Sequence, residues 1–567
     1  MSESRKIVIV GGVAGGASAA ARIRRLDENA KIVMFERTGY ISYANCGLPY
    51  YIGDVITDKS ELTLQTPRSF GTRFNVDVRV SHEVTSIDRA GKTVSVKNLL
   101  TGEEWAEPYD ILVLSPGARP VIPDIPGNNL KNVFTLRTVE DTFRIKEFAD
   151  EKKPERAVIF GGGFIGLELA ENLVNEGIAV SIVQRSKQVM SPIDMEIASF
   201  VHARLRKAGI NLVLGDTPKA LEEREGAITV RLNSGASIEA DMAVFAMGVV
   251  PETALANAAG LELGLKGSIV VDKHMRTSDP AIYAVGDAVQ VRNYVSGSDA
   301  VISLAGPANR QARIAADNIC GIESTYKGSM GSSVIKLFDQ TLAFTGLNEK
   351  TCKASGIPYD KIFLSPSNHA GYYPGAKAMT MKVIFDRNAD RILGAQIIGY
   401  EGVDKAIDVI ATAIQTGMKA SALKELDLAY APPYSSAKSP VNMAGFMIEN
   451  LENGLIKQYF YEDLDNIPKD GSANLIDVRT PGEYNAGHLD GFVNIPVDEI
   501  RDRLDEIDLS KPAYLMCQAA IRSWIAGRIL IAKGVDCYHF AGGYRLYKSI
   551  ATEKMAAEQT MPCGADK

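Results

Sequence analysis

Two glycine-rich turns, whose first glycines are Gly11 and Gly161, constrain the fold of this chain more than any other feature. Each turn follows a short apolar run and precedes a stretch with helical periodicity: IVIV before GGVAGG, and AVIF before GGGFIG. A strand, a glycine turn and a helix in this order begin a dinucleotide-binding βαβ unit, because bare backbone N–H groups at the helix N-terminus can bind a pyrophosphate. Two such units predict two bound dinucleotides, between which a hydride can pass.

The first unit departs from the usual G-x-G-x-x-G pattern at one position. Gly11 and Gly16 are in place, but Val13 stands where the middle glycine is expected. The second strand, KIVMFE, ends in Glu36, whose carboxylate can accept hydrogen bonds from ribose hydroxyls. We therefore predict a nucleotide site at 7–36.

The second unit keeps all three glycines, Gly161, Gly163 and Gly166. Its second strand ends in Gln184 and Arg185 instead of an acid. Glutamine lacks the charge that repels a 2′-phosphate and arginine attracts one, so the choice between NADH and NADPH stays open. We expect NADH, with some use of NADPH.

Length and composition set the class of protein. A chain of 567 residues is long enough for three or four domains. A net charge of −7 without basic clusters gives no reason to expect nucleic acid or an anionic membrane as a partner. The sequence shows no transmembrane span and no signal-peptide region, and its six cysteines are scattered, without metal-like clustering with histidines. We expect a soluble cytoplasmic protein with free thiols and no metal.

Four further segments occur in a family-specific order: YDILVLSPGARP (109–120), ADMAVFAMGVVPET (240–253), SDPAIYAVGDAV (278–289) and SLAGPANRQARIAADNI (303–319). With the glycine turns, they make the chain from 1 to about 450 resemble the FAD/NAD(P)-linked disulfide reductase family. The resemblance implies FAD and NAD(P)H as cofactors, with Asp287 at the ribityl chain and Glu168 near the nicotinamide amide. The expected cofactor contacts are Gly11, Gly16, Glu36, Arg37, Ser115, Pro116, Gly117, Asp287 and Ala305 on one side, and Gly161, Gly163, Ile165, Gly166, Glu168, Gln184 and Gly248 on the other.

The segment ISYANCGLPYYIGD (41–54) holds a single cysteine, Cys46, before Gly-Leu-Pro. It resembles the single-cysteine branch of the family, which contains NADH oxidases, NADH peroxidases and coenzyme A disulfide reductases. A lone cysteine beside a flavin cycles through a sulfenic acid or through a mixed disulfide with a small thiol. Because the flanking residues predict a helix start, we expect the helix dipole to lower the thiol pKa.

Oxidases and peroxidases of this branch carry a histidine in the first glycine loop, where this chain has Ala14. The loop and the following helix instead resemble those of coenzyme A disulfide reductases. The resemblance implies coenzyme A contacts at Ser42 and Asn45, and phosphate contacts among Arg22, Arg24 and Arg25. A solvated helix face is an equally good interpretation of the three arginines.

Two later segments, HAGYYPGA (369–376) and LAYAPPYSSAKSPVN (428–442), resemble the dimerisation domain of coenzyme A disulfide reductases. The resemblance implies a homodimer in which tyrosines of both segments reach the redox cysteine, one of them across the interface. Tyr434 is the best candidate, with Tyr372 or Tyr373 as the other. A phenol there can donate a proton to a leaving thiolate.

The C-terminal region follows a charged stretch, YEDLDNIPKDG (461–471), that we interpret as a linker. NLIDVRTPGEYNAGHLDGFVNIP (474–496) and the strand–loop–helix around Cys517 resemble a rhodanese module, which implies that Cys517 carries sulfane sulfur and that Arg522 closes its loop. Such a loop turns N–H groups toward the sulfur and lowers the thiol pKa. Rhodaneses often have glycine where this chain has Ala520. We expect alanine to be tolerated at this position if its φ is negative. We interpret Cys537 as a core residue and Cys563 as a free thiol.

These features together predict an α/β protein with two Rossmann-like dinucleotide-binding domains, an α+β dimerisation domain and a C-terminal α/β rhodanese domain. The predicted bounds are 1–150 with 275–325 for the FAD-binding domain, 151–274 for the NAD(P)H-binding domain, 326–452 for dimerisation and 453–567 for the rhodanese-like domain.

The predicted function is NAD(P)H-dependent reduction of coenzyme A persulfide, coenzyme A disulfide or polysulfide, with release of sulfide and sulfur relay by the rhodanese domain. One alternative is an NADH oxidase or peroxidase that uses a Cys46 sulfenic acid. Another is a non-catalytic redox sensor or sulfur-relay partner. The sulfur donor, a small molecule or a protein, stays open.

Overall fold

A computed structural model describes residues 5–559 of the chain. The chain forms two compact units. The first contains the residues up to 187 together with 209–331, and the second contains 188–208 together with the residues from 332 on. The predicted domain bounds, which are finer than this division, stay a prediction.

The elements of the N-terminal third are β1 (Lys6–Val10), α1 (Ala14–Leu26), β2 (Lys31–Glu36), α2 (Leu48–Ile52), α3 (Pro67–Phe74), β3 (Asp77–Val80), β4 (His82–Asp88), β5 (Thr93–Asn98), β6 (Glu104–Pro108), β7 (Ile111–Leu114), β8 (Ala118–Pro120), β9 (Val133–Thr135) and α4 (Val139–Lys152). The next third contains β10 (Arg156–Phe160), α5 (Phe164–Asn175), β11 (Ala179–Gln184), α6 (Met195–Lys207), β12 (Asn211–Leu214), β13 (Pro218–Arg224), β14 (Ala227–Leu232), β15 (Ser237–Ala240), β16 (Met242–Phe245), β17 (Val249–Pro251), α7 (Ala254–Ala258), β18 (Ile269–Val270), β19 (Ile282–Ala284), β20 (Val289–Arg292), β21 (Asp299–Ala300) and α8 (Ala305–Ile319).

The C-terminal part contains β22 (Ser333–Leu337), β23 (Gln340–Gly346), α9 (Glu349–Ala354), β24 (Asp360–Leu364), β25 (Thr380–Asp386), β26 (Arg391–Gly399), α10 (Val403–Thr416), α11 (Pro440–Glu452), β27 (Lys457–Tyr459), β28 (Asn474–Asp477), α12 (Pro481–Asn485), β29 (Val493–Asn494), β30 (Ala513–Met516), α13 (Ile521–Ile531), β31 (Cys537–Phe540) and α14 (Gly543–Gln559).

Two parallel five-stranded sheets form the framework of the first unit, in the orders β19-β7-β1-β2-β3 and β12-β11-β10-β16-β9. Their central strands, β1 and β10, are apolar runs buried on both faces, as parallel strands covered by helices must be. Each central strand leads directly into a glycine turn and a helix. The prediction of two Rossmann-like domains is therefore confirmed.

The second unit contains two further sheets. An antiparallel sheet of order β22-β23-β26-β25-β24 carries α10, whose apolar face packs on β23 and β26. A parallel sheet of order β27-β31-β30-β28-β29 packs against α13, and α14 packs against α6. Both sheets agree with the predicted α+β dimerisation domain and α/β rhodanese domain.

The interpretation of 461–471 as a linker is wrong. Leu464 and Ile467 are 7% and 6% exposed and belong to the hydrophobic core that also contains Phe492 and Phe540. Glu462 accepts a hydrogen bond from the buried Lys361 Nζ of β24, at 2.6 Å. The segment therefore contains two buried apolar residues among its charged ones. Together with the Glu462 contact, they fix the rhodanese sheet to the dimerisation sheet instead of leaving it loosely tethered.

Candidate active sites

The first glycine turn is held by close backbone approaches. Gly11 has φ +97°, and a Cβ added there would lie 2.0 Å from the Ser115 carbonyl oxygen. A Cβ on Gly16 would lie 1.8 Å from the Gly11 carbonyl oxygen. The second turn repeats this pattern, with Gly161 against Ala246 O at 2.2 Å and Gly166 against Gly161 O at 2.0 Å. Only glycine fits at these four positions.

The departure at Val13 has a conformational explanation. Val13 precedes α1 with φ −101°, and its counterpart Gly163 precedes α5 with φ −89°, so neither position requires left-handed backbone. A Cβ on Gly163 would meet nothing within 4 Å. A side chain at this position therefore extends into open space, and valine is accommodated.

In each nucleotide-binding unit, the side chain of the last residue of the second strand accepts a hydrogen bond from the glycine turn. Gly12 N–H donates to Glu36 Oε2 at 2.8 Å, and Gly162 N–H donates to Gln184 Oε1 at 2.9 Å. The other Glu36 oxygen accepts from the backbone N–H and the hydroxyl of Thr38, both at 2.9 Å. An acid and an amide thus make the same loop contact, and the predicted ribose contacts of both side chains stay predictions.

Both helix N-termini are suited to an anion. Within the described part of the chain, α1 and α5 have no side-chain cap at their N-termini and no acidic residue in their first turns. Their first N–H groups, together with the helix dipole, can bind phosphate. The residues at both turns therefore fit a dinucleotide.

The other predicted cofactor contacts surround the first turn or its counterpart. Ser115 and Pro116 follow β7, Gly117 has φ +73°, Ala305 begins α8, and Gly248, with φ +99°, precedes β17. Arg37 follows β2 and pairs with Glu252 at 3.5 Å. Ile165 lies in the first turn of α5.

Arg137 is a residue that the sequence reasoning missed. Its Nη2 donates to Asp287 Oδ2 at 3.0 Å, and its Nε donates to Ala118 O at 3.1 Å. With the Asn45 amide oriented to satisfy its hydrogen bonds, its nitrogen donates to Arg137 O at 3.0 Å and its oxygen accepts from Nη1 at 3.1 Å. Arg137 thus joins the residue before Cys46 to the predicted ribityl contact. No motif marks it, because its role depends on three separate segments meeting.

Cys46 lies in a short 3-10 turn, Asn45–Gly47, directly before α2, and it is exposed. The expectation of a lowered thiol pKa is wrong for the protein chain itself. Loss of solvent around the sulfur raises the pKa of Cys46, the negative charge of Glu168 raises it further, and Arg137 opposes both. One short turn supplies too little dipole to outweigh the burial of the sulfur and the charge of Glu168 in setting the pKa of Cys46.

Glu168 comes to this site because α2 packs against α5. The approach is close, since a Cβ on Gly53 would lie 2.5 Å from the Asn172 side chain. Burial raises the pKa of Glu168 to about 7, although a hydrogen bond from Tyr50 lowers it. The structure thus brings a carboxyl that titrates near neutrality close to Cys46, the one exposed thiol within residues 5–559.

The residues predicted to contact coenzyme A differ in how far they are already engaged by other residues of the chain. Arg24 is buried and donates to five backbone carbonyl oxygens, including Phe74 O and Ala30 O, so its role is structural. Arg22 pairs with Asp317 at 2.7 Å. Arg25 is exposed, with its guanidinium 5.6 Å from the Phe74 ring centroid. Ser42 has φ +44° and donates its N–H to Gly12 O at 2.8 Å, which ties this loop to the first glycine turn.

The two predicted tyrosines are highly exposed on the second unit: Tyr372 by 80% and Tyr434 by 74%. Tyr434 lines a cavity of about 420 Å³ together with His369, Lys405 and Tyr430. The phenol groups are thus available to another molecule, and their role toward a redox cysteine stays a prediction.

The rhodanese loop begins where the central strand β30 ends. Cys517 is 0% exposed, and its thiol donates to Ser523 Oγ at 3.3 Å, a contact that the sequence reasoning missed. The condition set for Ala520 is not met, because this residue has φ +70° and precedes α13 in the left-handed region. An alanine there carries backbone strain of about 1–2 kcal/mol.

The guanidinium of Arg522, in the loop, is paired with a carboxylate. Its two terminal nitrogens donate to the two carboxylate oxygens of Glu483, both at 2.7 Å. Beneath them, Arg479 pairs with the fully buried Asp477 at 2.6 Å and stacks 3.9 Å from the Tyr544 ring centroid. Cys563 lies outside the described residues.

Three family profiles match the chain in succession. Residues 5–312 match the pyridine nucleotide-disulphide oxidoreductase family, 332–440 its dimerisation domain, and 460–550 the rhodanese-like domain. No helix within 5–559 is long and apolar enough to cross a membrane.

Similar proteins agree with this order. A coenzyme A disulfide reductase of Staphylococcus haemolyticus is 35% identical over 79% of this chain and all of its own length. The crystal structure of reduced Bacillus anthracis CoADR-RHD is 49% identical, with TM-score 0.95, and the match covers 97% of this chain and 99% of that one. An NAD-dependent persulfide reductase from A. fulgidus is 35% identical, with TM-score 0.90, covering 96% of this chain and all of that one.

Proposed function

We propose that this chain, which belongs to the pyridine nucleotide-disulphide oxidoreductase family, reduces coenzyme A persulfide, coenzyme A disulfide or polysulfide with NAD(P)H and releases sulfide. The observation that carries the proposal is the exposed thiol of Cys46, whose neighbours come from both dinucleotide-binding domains: Arg137 and Asp287 on one side and Glu168 on the other. The names of two similar proteins, a coenzyme A disulfide reductase and an NAD-dependent persulfide reductase, support the substrate class.

FAD would lie on the first glycine turn, held by Gly11, Gly16 and Glu36, with Asp287 at its ribityl chain. NAD(P)H would lie on the second turn, with Gln184 at its ribose. When bound, FAD supplies two-electron transfer between the nicotinamide and a sulfur atom. Arg137 pairs with Asp287 at 3.0 Å and holds its carboxylate in place for this contact.

Cys46 receives the substrate. Its thiolate attacks the coenzyme A-side sulfur of coenzyme A persulfide, forms the mixed disulfide Cys46–S–S–CoA and expels hydrosulfide. Two electrons from NAD(P)H then open this disulfide and restore the thiolate. Because Glu168 raises the pKa of Cys46, protonation of Glu168 favours the thiolate.

The chain would act as a homodimer in which Tyr434 and Tyr372 of a second copy reach toward Cys46. The match to a dimerisation domain and the exposure of both phenols support this arrangement. A phenol near the mixed disulfide can donate its proton to the leaving coenzyme A thiolate. Ser42, Asn45, Arg22 and Arg25 would contact coenzyme A.

Cys517 would load the substrate. It would take sulfane sulfur from a donor as a persulfide and deliver it to coenzyme A. The complete cysteine loop, with Arg522 and the strand-to-helix geometry of a rhodanese, supports this relay.

Two single variants test the proposal. Cys46→Ser should abolish reduction of every sulfur substrate and leave FAD bound and reducible by NADH. Cys517→Ser should spare coenzyme A disulfide and preformed coenzyme A persulfide, and should depress turnover of polysulfide with catalytic coenzyme A. NADH consumption and sulfide release are measured on both. Equal loss of coenzyme A disulfide reduction in the two variants would contradict the two-station scheme.

A further inference from the structure

The charge of Arg522, the arginine of the rhodanese loop, is neutralised before any substrate arrives. Glu483 binds it through two parallel hydrogen bonds of 2.7 Å. Glu483 is itself fixed at the start of α12, where its Oε2 accepts the N–H and the hydroxyl of Thr480, both at 3.0 Å. These contacts lower the pKa of Glu483 to about 2. The carboxylate is therefore charged near neutral pH, where it pairs with Arg522.

The other guanidiniums that adjoin the loop have their own neighbours. Arg479 is committed to Asp477 and to Gly487 O, at 2.6 and 2.7 Å. Arg545 meets the loop through its backbone, which donates to Gln518 O. Its guanidinium has no carboxylate partner among the described residues and lies 5.7 Å from the ring centroid of Phe200 on α6. The charge of a Cys517 thiolate with Arg522 and Glu483 thus sums to −1.

We propose that Glu483 sets the donor class of Cys517, so that the loop takes sulfur from an organic persulfide and discriminates against thiosulfate. The inference rests on the proposed sulfur relay and adds its substrate class. An organic persulfide, RSSH, arrives neutral or with one negative charge. Thiosulfate arrives with two, and repulsion from a net negative loop opposes its approach and the departure of sulfite.

The two reactions balance without an added oxidant or reductant. With an organic persulfide, the Cys517 thiolate forms a bond to the outer sulfur and breaks the S–S bond. The thiolate RS⁻ leaves with the electron pair, and the proton remains on the new persulfide, Cys517–S–SH. With thiosulfate the same bond forms, and sulfite leaves as a dianion.

The surface beside the loop agrees with an organic donor. Ile521, the residue between Ala520 and Arg522, is 55% exposed, and Ile525, one turn further along α13, is 38% exposed. Two exposed branched side chains in the first turns of the helix that follows the cysteine loop favour the carbon arm of a thiol over a small hydrated dianion.

The test measures sulfur transfer to cyanide by the full-length holoenzyme without NADH, with cysteine persulfide, whose net charge is zero or −1, or thiosulfate as donor. Cys517→Ser provides the blank. The wild type should show a higher kcat/KM with the persulfide, and its thiosulfate rate should rise more than its persulfide rate when ionic strength increases from about 0.01 to about 0.15 M, because salt screens the repulsion of a dianion more than that of a monoanion. Glu483→Gln, which frees the charge of Arg522, should raise kcat/KM for thiosulfate about tenfold and change that for the persulfide less than about threefold.

Glu499→Gln is the matched control, because Glu499 pairs with Arg503 on the same domain and its loss changes the net charge equally. It should change neither donor's kinetics. A wild-type preference for thiosulfate, or a Glu483→Gln variant with unchanged or lower thiosulfate activity, would overturn the inference. Absence of transfer from either donor would overturn the relay as well, while coenzyme A disulfide reduction in the same preparation reports separately on Cys46.

Discussion

Cys46 and Cys517 are the two cysteines with predicted redox or sulfur-transfer roles, and their surroundings are opposite. Cys46 is exposed in a short turn, where lost solvent and a nearby carboxylate raise its pKa. Cys517 is completely buried after the end of β30 and donates its thiol hydrogen to Ser523, and Arg522 of the same loop is paired with Glu483.

The difference teaches how each sulfur obtains its reactivity. The domain that carries Cys517 supplies the neighbours of this sulfur itself: Ser523, which accepts a hydrogen bond from the thiol, and the paired charges of Arg522 and Glu483. The chain around Cys46 opposes ionisation, so this thiol depends on what binds beside it. A cysteine that exchanges electrons with a cofactor can rely on that cofactor, whereas a sulfur carrier on a separate sheet cannot.

The largest expected effect is a difference between Cys46 and Cys517 in the accessibility of the thiol to a reagent. In the reduced holoenzyme, we expect iodoacetamide to alkylate Cys46 at least about tenfold faster than Cys517, because only the exposed sulfur meets the reagent without an opening motion. Peptide mass spectrometry over time measures both rates, and Cys352, also 0% exposed, serves as the internal reference for a buried thiol. Equal rates would show that the rhodanese loop opens readily in solution and would break the comparison.

An intermediate effect is expected at Glu168. Its carboxyl, with a pKa of about 7, is largely charged at pH 8, and this charge raises the pKa of Cys46. Glu168→Gln removes the charge, so the thiol pKa should fall and alkylation of Cys46 at pH 8 should become a few times faster. Below pH 6 the two proteins should differ less, because the wild-type carboxyl is then protonated.

The control for this prediction is Glu176→Gln, at the exposed C-terminal end of the same helix. It should leave the alkylation profile unchanged. A profile for Glu168→Gln that coincides with the wild type at all pH values would show that Glu168 does not control the thiol.

The smallest effect is expected at Ala520. Its φ of +70° costs an alanine about 1–2 kcal/mol, and glycine avoids most of this cost while losing one buried methyl group. We expect Ala520→Gly to be more stable than Ala519→Gly by about 1 kcal/mol, since Ala519 is not among the residues with positive φ. Thermal unfolding of both variants measures the difference, and a less stable Ala520→Gly would show that the loop holds this residue without strain.

Local sequence predicted much of the framework. Glycines at fixed spacing predicted both nucleotide turns. Positions such as Gly11 and Gly16 leave no room for a Cβ, and this restriction does not depend on what surrounds the domain. Alternating strands and helices predicted parallel sheets, and the cysteine loop announced the rhodanese fold. These patterns can be recognised in the sequence because each depends on residues within one βαβ unit.

Tertiary structure decided what distant segments do to one another. Arg137 reaches Asn45 and Asp287 only because three segments converge, and Glu168 changes the pKa of Cys46 only because α2 packs on α5. The charged stretch 461–471 proved to be anchored by Leu464 and Ile467, whose partners lie elsewhere in the chain. The sequence by itself determined which groups can react, through local backbone geometry. Their ionisation and exposure depend on long-range packing, because desolvation and Coulomb energies are set by whatever lies within a few ångströms in space, however far away it is in the chain.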